Sequence, residues 1–340
     1  MLLDAVIYPP DLSAAGPTAA LAESLGIQGV WTTETQHDPF LPLVPAALAT
    51  SRISLGTAIA VAFPRSPTVT AHIAWDLARA SQGRFILGLG TQVKAHIERR
   101  FSMQWHPPAA WLRDYIGAVR AVWSAWQTGE RLRYVGEYYS LKLMTPFFSP
   151  EPLPDPGHEP PIYIAGVNRE LCRLAGEVCQ GFHVHPLHTA RYLREAILPW
   201  IGEGLTASGR ERDGIQVSAT VFVIFGQGEE KEKRREEMRR QVAFYASTPS
   251  YRTLLDMHGW GETGEELSKL ARRGRWDDMG ALVSDAMLEE IAVEGESLAG
   301  AAQALRVRYA GLLDRATFYM PFVPGERDND WRSAAAIIGG

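Results

Sequence analysis

The chain has 340 residues, enough for about two average domains or for one α/β barrel with insertions. Hydrophobic residues make up 46% and charged residues 21%, which permits a sizeable core and excludes wholesale disorder. With 34 Lys plus Arg against 39 Asp plus Glu, the net charge of -5 provides no basic field for a phosphate backbone, so nucleic acid is not an expected partner.

Residues 2–8 read as a strand, and 17–25 as a helix with Leu21 and Leu25 four apart and Gly26 as its stop. A second strand covers 29–33, a helical run 43–50, and a third strand 53–58. In 67–81, Val69, Ile73 and Leu77 recur every four residues, as on one face of a helix. The fourth strand, 84–90, ends in glycines. Regular βα alternation without hairpin signals predicts a parallel sheet with right-handed crossovers.

The rhythm then loosens. Trp111, Tyr115, Val119, Val122 and Trp126 mark a long amphipathic helix, 131–142 reads as a small hairpin around Gly136, and 146–161 is a Pro-rich loop. Alternation resumes with strand 161–166, helix 169–179, strand 181–185, helix 190–205 and strand 217–225. The charge-dense helix 229–240 reads as a solvated face, and 248–296 as an irregular, helical insertion. Helix 297–312 leads to an eighth strand at 316–322. Eight strands in this order predict a (β/α)8 TIM barrel, a single domain over 1–340 with insertions near 102–160 and 248–296. An open doubly wound sheet is the rival.

The amino-terminal run has no basic residues and an acid at Asp4, unlike a secretory signal, and the longest mostly apolar run, 217–225, is far short of a membrane helix of about 18 residues. A cytoplasmic protein with no membrane partner is expected. Cys172 and Cys179 sit too far apart along one helix to bridge, so both should be buried free thiols.

Three segments can carry chemistry. Gly88-Leu89-Gly90-Thr91-Gln92-Val93 follows a strand, but Val93 stands where a dinucleotide fingerprint needs its third glycine. At a barrel strand end, such small residues let a flat ring or a phosphate approach the backbone. His183-Val184-His185, with His188, puts two imidazoles on one side of a strand. A metal-dependent barrel hydrolase is thus a remote alternative, although the further His and Asp that it would want are lacking and no metal is expected. Glu34-Thr35-Gln36-His37-Asp38-Pro39-Phe40 gathers two acids, an imidazole and an aromatic directly after the second strand. It is either a working loop or a polar loop that caps the next helix.

In series, the segments from Ala22-Glu23-Ser24-Leu25-Gly26 to Trp31, from Arg52-Ile53-Ser54-Leu55-Gly56 to Ile59, and from Ser81-Gln82-Gly83-Arg84-Phe85 to Thr91 resemble the bacterial luciferase-like superfamily. Pro161-Ile162-Tyr163-Ile164-Ala165-Gly166 and Ala175-Gly176-Glu177-Val178 through Phe182 continue the series in order. The resemblance runs over most of residues 1–225 and, more weakly, the last strand, and is nearest to the branch that uses the deazaflavin coenzyme F-420. It implies an oxidoreductase transferring a hydride between F-420 and an organic small-molecule substrate at the C-terminal mouth of the barrel. It also implies a non-prolyl cis peptide at Ala58-Ile59 bulging toward the ring, and phosphate held by the backbone of Gly166, Val167 and Asn168, with the loop beyond His185 nearby. Thr35, Gly90, Thr91 and Gln92 would border the cofactor.

Relatives carry Asp-His directly after the second strand, where this chain has Glu34-Thr35, so the resemblance leaves His37 as proton donor or acceptor, with Glu34 positioning the ring or tuning that imidazole. The alternative within the superfamily is an FMN-dependent monooxygenase fed by a separate flavin reductase. Luciferase has an arginine after its fourth strand for the flavin phosphate, where Thr91 stands here, which favours the deazaflavin. Relatives pair as homodimers, for which the tryptophan-bearing helices are a candidate face.

Overall fold

The computed structural model describes residues 1–9, 11–154 and 159–340; within the Pro-rich loop 146–161, residues 155–158 lie outside the described residues. Eight strands form the barrel: β1 (Leu2–Val6), β2 (Gly29–Thr32), β3 (Ser54–Thr57), β4 (Phe85–Gly90), β5 (Ile162–Gly166), β6 (Gly181–Val184), β7 (Gln216–Val221) and β8 (Arg315–Pro321); the two-residue strand Ala60–Val61 adds a ninth to the sheet, pairing in parallel with Leu89 and Gly90. Every neighbouring pair is parallel, β1 pairs with β8, and β3 pairs with β4 through Leu55 opposite Phe85. The ring of pairings closes, so the architecture is a TIM barrel, and the open-sheet rival falls because none of the eight barrel strands is left at an edge.

The strands are legible because parallel strands are covered on both faces: β2 and β4 are buried along their whole length and run as Gly-Val-Trp-Thr and Phe-Ile-Leu-Gly-Leu-Gly. At the amino-terminal end of the barrel, β1 and β8 are tied by a buried ion pair. Arg315 donates from Nε and Nη2 to the two oxygens of Asp4 at 2.7 and 2.9 Å, and Trp31 Nε1 donates to the same carboxylate at 2.9 Å.

Two elements differ from expectation. The first helix starts at Leu12 rather than Pro17, because Asp11 caps it by accepting from the amides of Ser13 and Ala14. The run 217–225 breaks after Val221: Val223–Phe225 leaves the barrel and pairs in parallel with Val293–Gly295, a strand inside the insertion expected to be irregular. The buried apolar edge of Val223–Phe225 needs backbone partners, and Val293 N–H supplies one to Phe222 O at 2.9 Å. The hairpin at Tyr134–Val135 and Ser140–Leu141 forms as expected.

The tryptophan-bearing helix Pro108–Thr128 turns its rings inward, which corrects their use as a partner face. Trp111 stacks on Phe63 at 3.6 Å between ring centres, and Trp123 Nε1 donates to Ala71 O. Trp111, Trp123 and Trp126 are all buried. Cys172 and Cys179 are buried free thiols, and burial pushes Cys179 up to about 12. No helix among the described residues is long and apolar enough to cross a membrane.

Candidate active site

The loops after β2 and β3 meet at one guanidinium. Arg65 Nη1 donates to Glu34 Oε2 at 2.7 Å and to Val61 O at 3.0 Å, while Nη2 donates to Asp38 Oδ2 at 3.0 Å. The same Glu34 oxygen accepts from Val61 N–H at 2.7 Å, and Glu34 N–H donates to Ile59 O. Burial works against the charge of Arg65, but the two carboxylates outweigh it and hold its pKa above the usual value. Asp38 Oδ1 accepts from Phe40 and Leu41 amides, so this acid shapes the turn; the next helix, Leu43–Ala49, starts at Pro42 with no side-chain cap, so neither His37 nor Asp38 caps it. The coupling of Glu34 to His37 is corrected: the carboxylate turns to Arg65 and Val61 because its charge finds a cation and an amide there, and His37 stays exposed. Thr35 is exposed as well, and its carbonyl accepts from Arg100.

Beneath the mouth lies an apolar floor of Trp31, Ile86 and Tyr163, with the partly exposed Val6 and Ala58 packed on it. The Ala58-Ile59 peptide bond is cis. Ala58 N–H donates to Thr32 O and Ala62 N–H to Gly90 O, so the segment is tied on both sides. The glycines of β4 serve this segment. A Cβ on Gly88 would stand 1.7 Å from Thr57 O, and one on Gly90 would stand 2.5 Å from Ile59 Cδ1. Gly90 is buried, and the space where its side chain would stand holds Ile59, so a side chain there would displace the cis segment. Thr91 and Gln92 remain partly exposed at the rim.

Across the mouth, Gly166 and Val167 face a small cavity of about 10 Å³, shared with Val184, His185 and Tyr251. The helix Arg169–Val178 begins beside it, and Asn168 caps that helix through Oδ1, which accepts from Leu171 N–H at 3.0 Å. The Asn168 side chain is therefore engaged, and the backbone amides at this helix start are what the turn offers an anion. His185 Nδ1 accepts from Leu187 N–H, which fixes the loop after β6. Burial, and then His188, depress its pKa to about 3. A wider cleft of about 440 Å³, lined by residues such as Thr248, Arg252 and Lys269, lies in the second insertion.

His183 and His188 are buried more deeply, and each leaves Nε2 without a partner. The His183 ring packs against Trp31 and Tyr163, whereas that of His185 packs against Tyr245 and Tyr251. The two imidazoles of the hydrolase alternative thus meet aromatic rings, and no three His, Cys, Asp or Glu gather as a metal site among the described residues. Burial lowers the pKa of His183 to about 3 and that of His188 to about 4. In the unfolded chain all three, His185 included, take up protons below about 6.5. The unfolded state then binds protons that the folded state cannot, so stability falls as pH drops from about 6.5 toward about 4, by about 1.4 kcal/mol per pH unit for each histidine. Urea unfolding between pH 6.5 and 5 should show this slope, and His188→Gln should remove about one proton's share; a flat profile would contradict it.

Arg65 and the tyrosines Tyr245, Tyr251 and Tyr319 carry no signal as single residues. Tyr319 alone was within reach, since Arg315, Thr317 and Tyr319 alternate along β8, with Arg315 buried at one end and Tyr319 part-exposed at the mouth end.

Fold and candidate site together define a parallel barrel whose strand ends carry an apolar floor of Trp31, Ile86 and Tyr163 and, across the mouth, the start of helix Arg169–Val178. The luciferase-like monooxygenase family model matches residues 4–315, and the chain belongs to that family. It is 46% identical over 310 residues to an uncharacterized protein of Mycobacterium tuberculosis, spanning 90% of each. It is 30% identical over 219 residues to the F-420-dependent glucose-6-phosphate dehydrogenase of Microbacterium testaceum, 60% of this chain and 62% of that one. The solved coenzyme F-420-dependent tetrahydromethanopterin reductase of Methanopyrus kandleri superposes with a TM-score of 0.76 over 99% of this chain and 97% of its own, at 20% identity, a likeness of fold.

Proposed function

We propose that this protein is an oxidoreductase that moves a hydride between coenzyme F-420 and an organic small molecule. The observation that carries this is the apolar floor of Trp31, Ile86 and Tyr163 under Val6 and Ala58, with the helix start at Asn168 across the mouth. Such a pair suits a planar ring with an anionic tail. Relatives named for F-420-dependent reactions support the same reading.

When bound, the deazaflavin supplies the hydride acceptor or donor. The chain's own residues do the rest. Ala58 and Ile59 would support the ring from the floor side, Glu34 holds that segment through Val61, and Thr35, Thr91 and Gln92 lie along the rim. The backbone of Gly166, Val167 and Asn168 would hold phosphate, beside the loop that His185 fixes. His37, exposed at the rim, is the group free to exchange a proton with the substrate.

A second reading, an FMN-dependent monooxygenase served by a separate reductase, is favoured by the family's own description. Quenching of F-420 fluorescence at micromolar coenzyme is expected on adding protein. Oxygen uptake with reduced FMN and none of that quenching would overturn the deazaflavin reading in favour of the second.

A further inference from the structure

The ends of β6, β7 and β8 gather side chains that the coenzyme reading leaves unused. His185 follows β6, Phe222 follows β7, Tyr319 belongs to β8, Tyr245 comes from the helix Gly228–Ala246, and Tyr251 from the start of the second insertion. Ring centres lie 4.4 Å apart for Phe222 and Tyr319, 4.6 Å for His185 and Tyr245, and 4.7 Å for His185 and Tyr251. The hydroxyls of Tyr245 and Tyr319 stand 2.8 Å apart. Phe222 is buried, and the other four rings are half-buried, so the group presents a face toward the mouth.

The character of that face is set by what is missing around it. Among the described residues, His185 Nδ1 bonds to Leu187 N–H and the Tyr245 hydroxyl to that of Tyr319, and no Lys, Arg, Asp or Glu side chain forms a hydrogen bond or ion pair with any of the five rings. On the other side of the mouth, Arg65 is already held by Glu34 and Asp38. An anionic group pressed against this face would lose its water without gaining a counter-charge. A cation would need rings spread around it, whereas these rings pack directly on one another. A neutral ring stacks on such a face at no electrostatic cost. Of the two hydroxyl protons in the Tyr245–Tyr319 pair, one serves the bond between them; the other has no partner among the described residues.

We infer that this face is the substrate wall of the mouth, and that it selects an uncharged, ring-bearing molecule whose oxygen accepts a hydrogen bond from the Tyr245–Tyr319 pair. This rests on the coenzyme reading, which puts the cofactor ring on the Ala58-Ile59 side. It separates this chain from the relative named for a sugar phosphate.

Three matched probes test it on the full chain without coenzyme: 2-naphthol, 2-naphthyl phosphate and trimethyl(2-naphthyl)ammonium, each followed by its own fluorescence. The naphthol is expected to bind about tenfold tighter than either charged probe, and Tyr319→Phe or Tyr245→Phe to weaken it about fivefold, one hydrogen bond's worth. Equal or tighter binding of a charged probe overturns the inference, as does native-like naphthol binding by both variants when circular dichroism shows them folded. F-420 quenching is read separately on the native protein. Quenching with reversed probe selectivity sinks the wall alone, and naphthol selectivity without quenching sinks the coenzyme reading alone.

Discussion

Replacing Arg65 with leucine is expected to weaken F-420 binding by about 10- to 100-fold while the barrel stays folded. The side chain of Glu34 is 8% exposed and meets its cation only through Arg65, which also reaches Asp38 and Val61 O. Without the guanidinium, Glu34 is a nearly buried carboxylate with a single amide partner, and it relaxes toward water. That motion releases Val61 and the adjoining segment at Ala58 and Ile59 on which the ring is proposed to rest. Charge-assisted hydrogen bonds of this kind contribute about 1.5–3 kcal/mol each, which sets the size of the loss. Arg65→Lys should fall between, since an ammonium cannot fork to two carboxylates. The check is a fluorescence titration of each variant, with amide exchange at Val61 as the structural readout. Native affinity in Arg65→Leu would show that the network does not position the site.

Breaking the Asp4–Arg315 pair is expected to be the most destabilising single change in the barrel. The two side chains are 0% and 4% exposed, and the carboxylate also accepts from Trp31. Arg315→Leu strands a buried carboxylate, and Asp4→Leu strands a buried guanidinium over the Trp31 ring as well as the indole N–H. Removing one partner of such a pair costs about 3–5 kcal/mol, whereas replacing both with apolar residues costs far less. Urea unfolding of the two single variants and of Asp4→Leu/Arg315→Met measures the difference. Single losses below about 1 kcal/mol would mean that water reaches the pair.

The barrel was legible because its strands are buried on both faces and their runs are short, apolar and regularly spaced, as in Phe85 to Gly90. The break between Val221 and Val223 was not, since nothing in an unbroken apolar run shows that one half will pair with Val293–Gly295, seventy residues on. Pro17 drew the first helix start to itself, because proline favours a first turn; the Asp11 cap six residues earlier prevailed. In the site, Glu34 was visible as an acid after β2, but its partner was not. Arg65 sits 31 positions away on another loop, and only the closure of β2 onto β3 brings them together. His37 drew attention as the nearest imidazole, yet sequence proximity to Glu34 created no contact. The tyrosine face needed three strand ends, the helix Gly228–Ala246 and an insertion to converge, a property of the closed barrel rather than of any segment.

Hydrogen–deuterium exchange with and without F-420 tests the central claim most directly, because it reads both whether the coenzyme binds and where. Slowed exchange is expected at residues 58–61, 90–92 and 166–168 and in the loop after His185, with FMN giving less protection at the same concentration. No protection at those strand ends, or protection confined to the cleft around Thr248, Arg252 and Lys269, would contradict it.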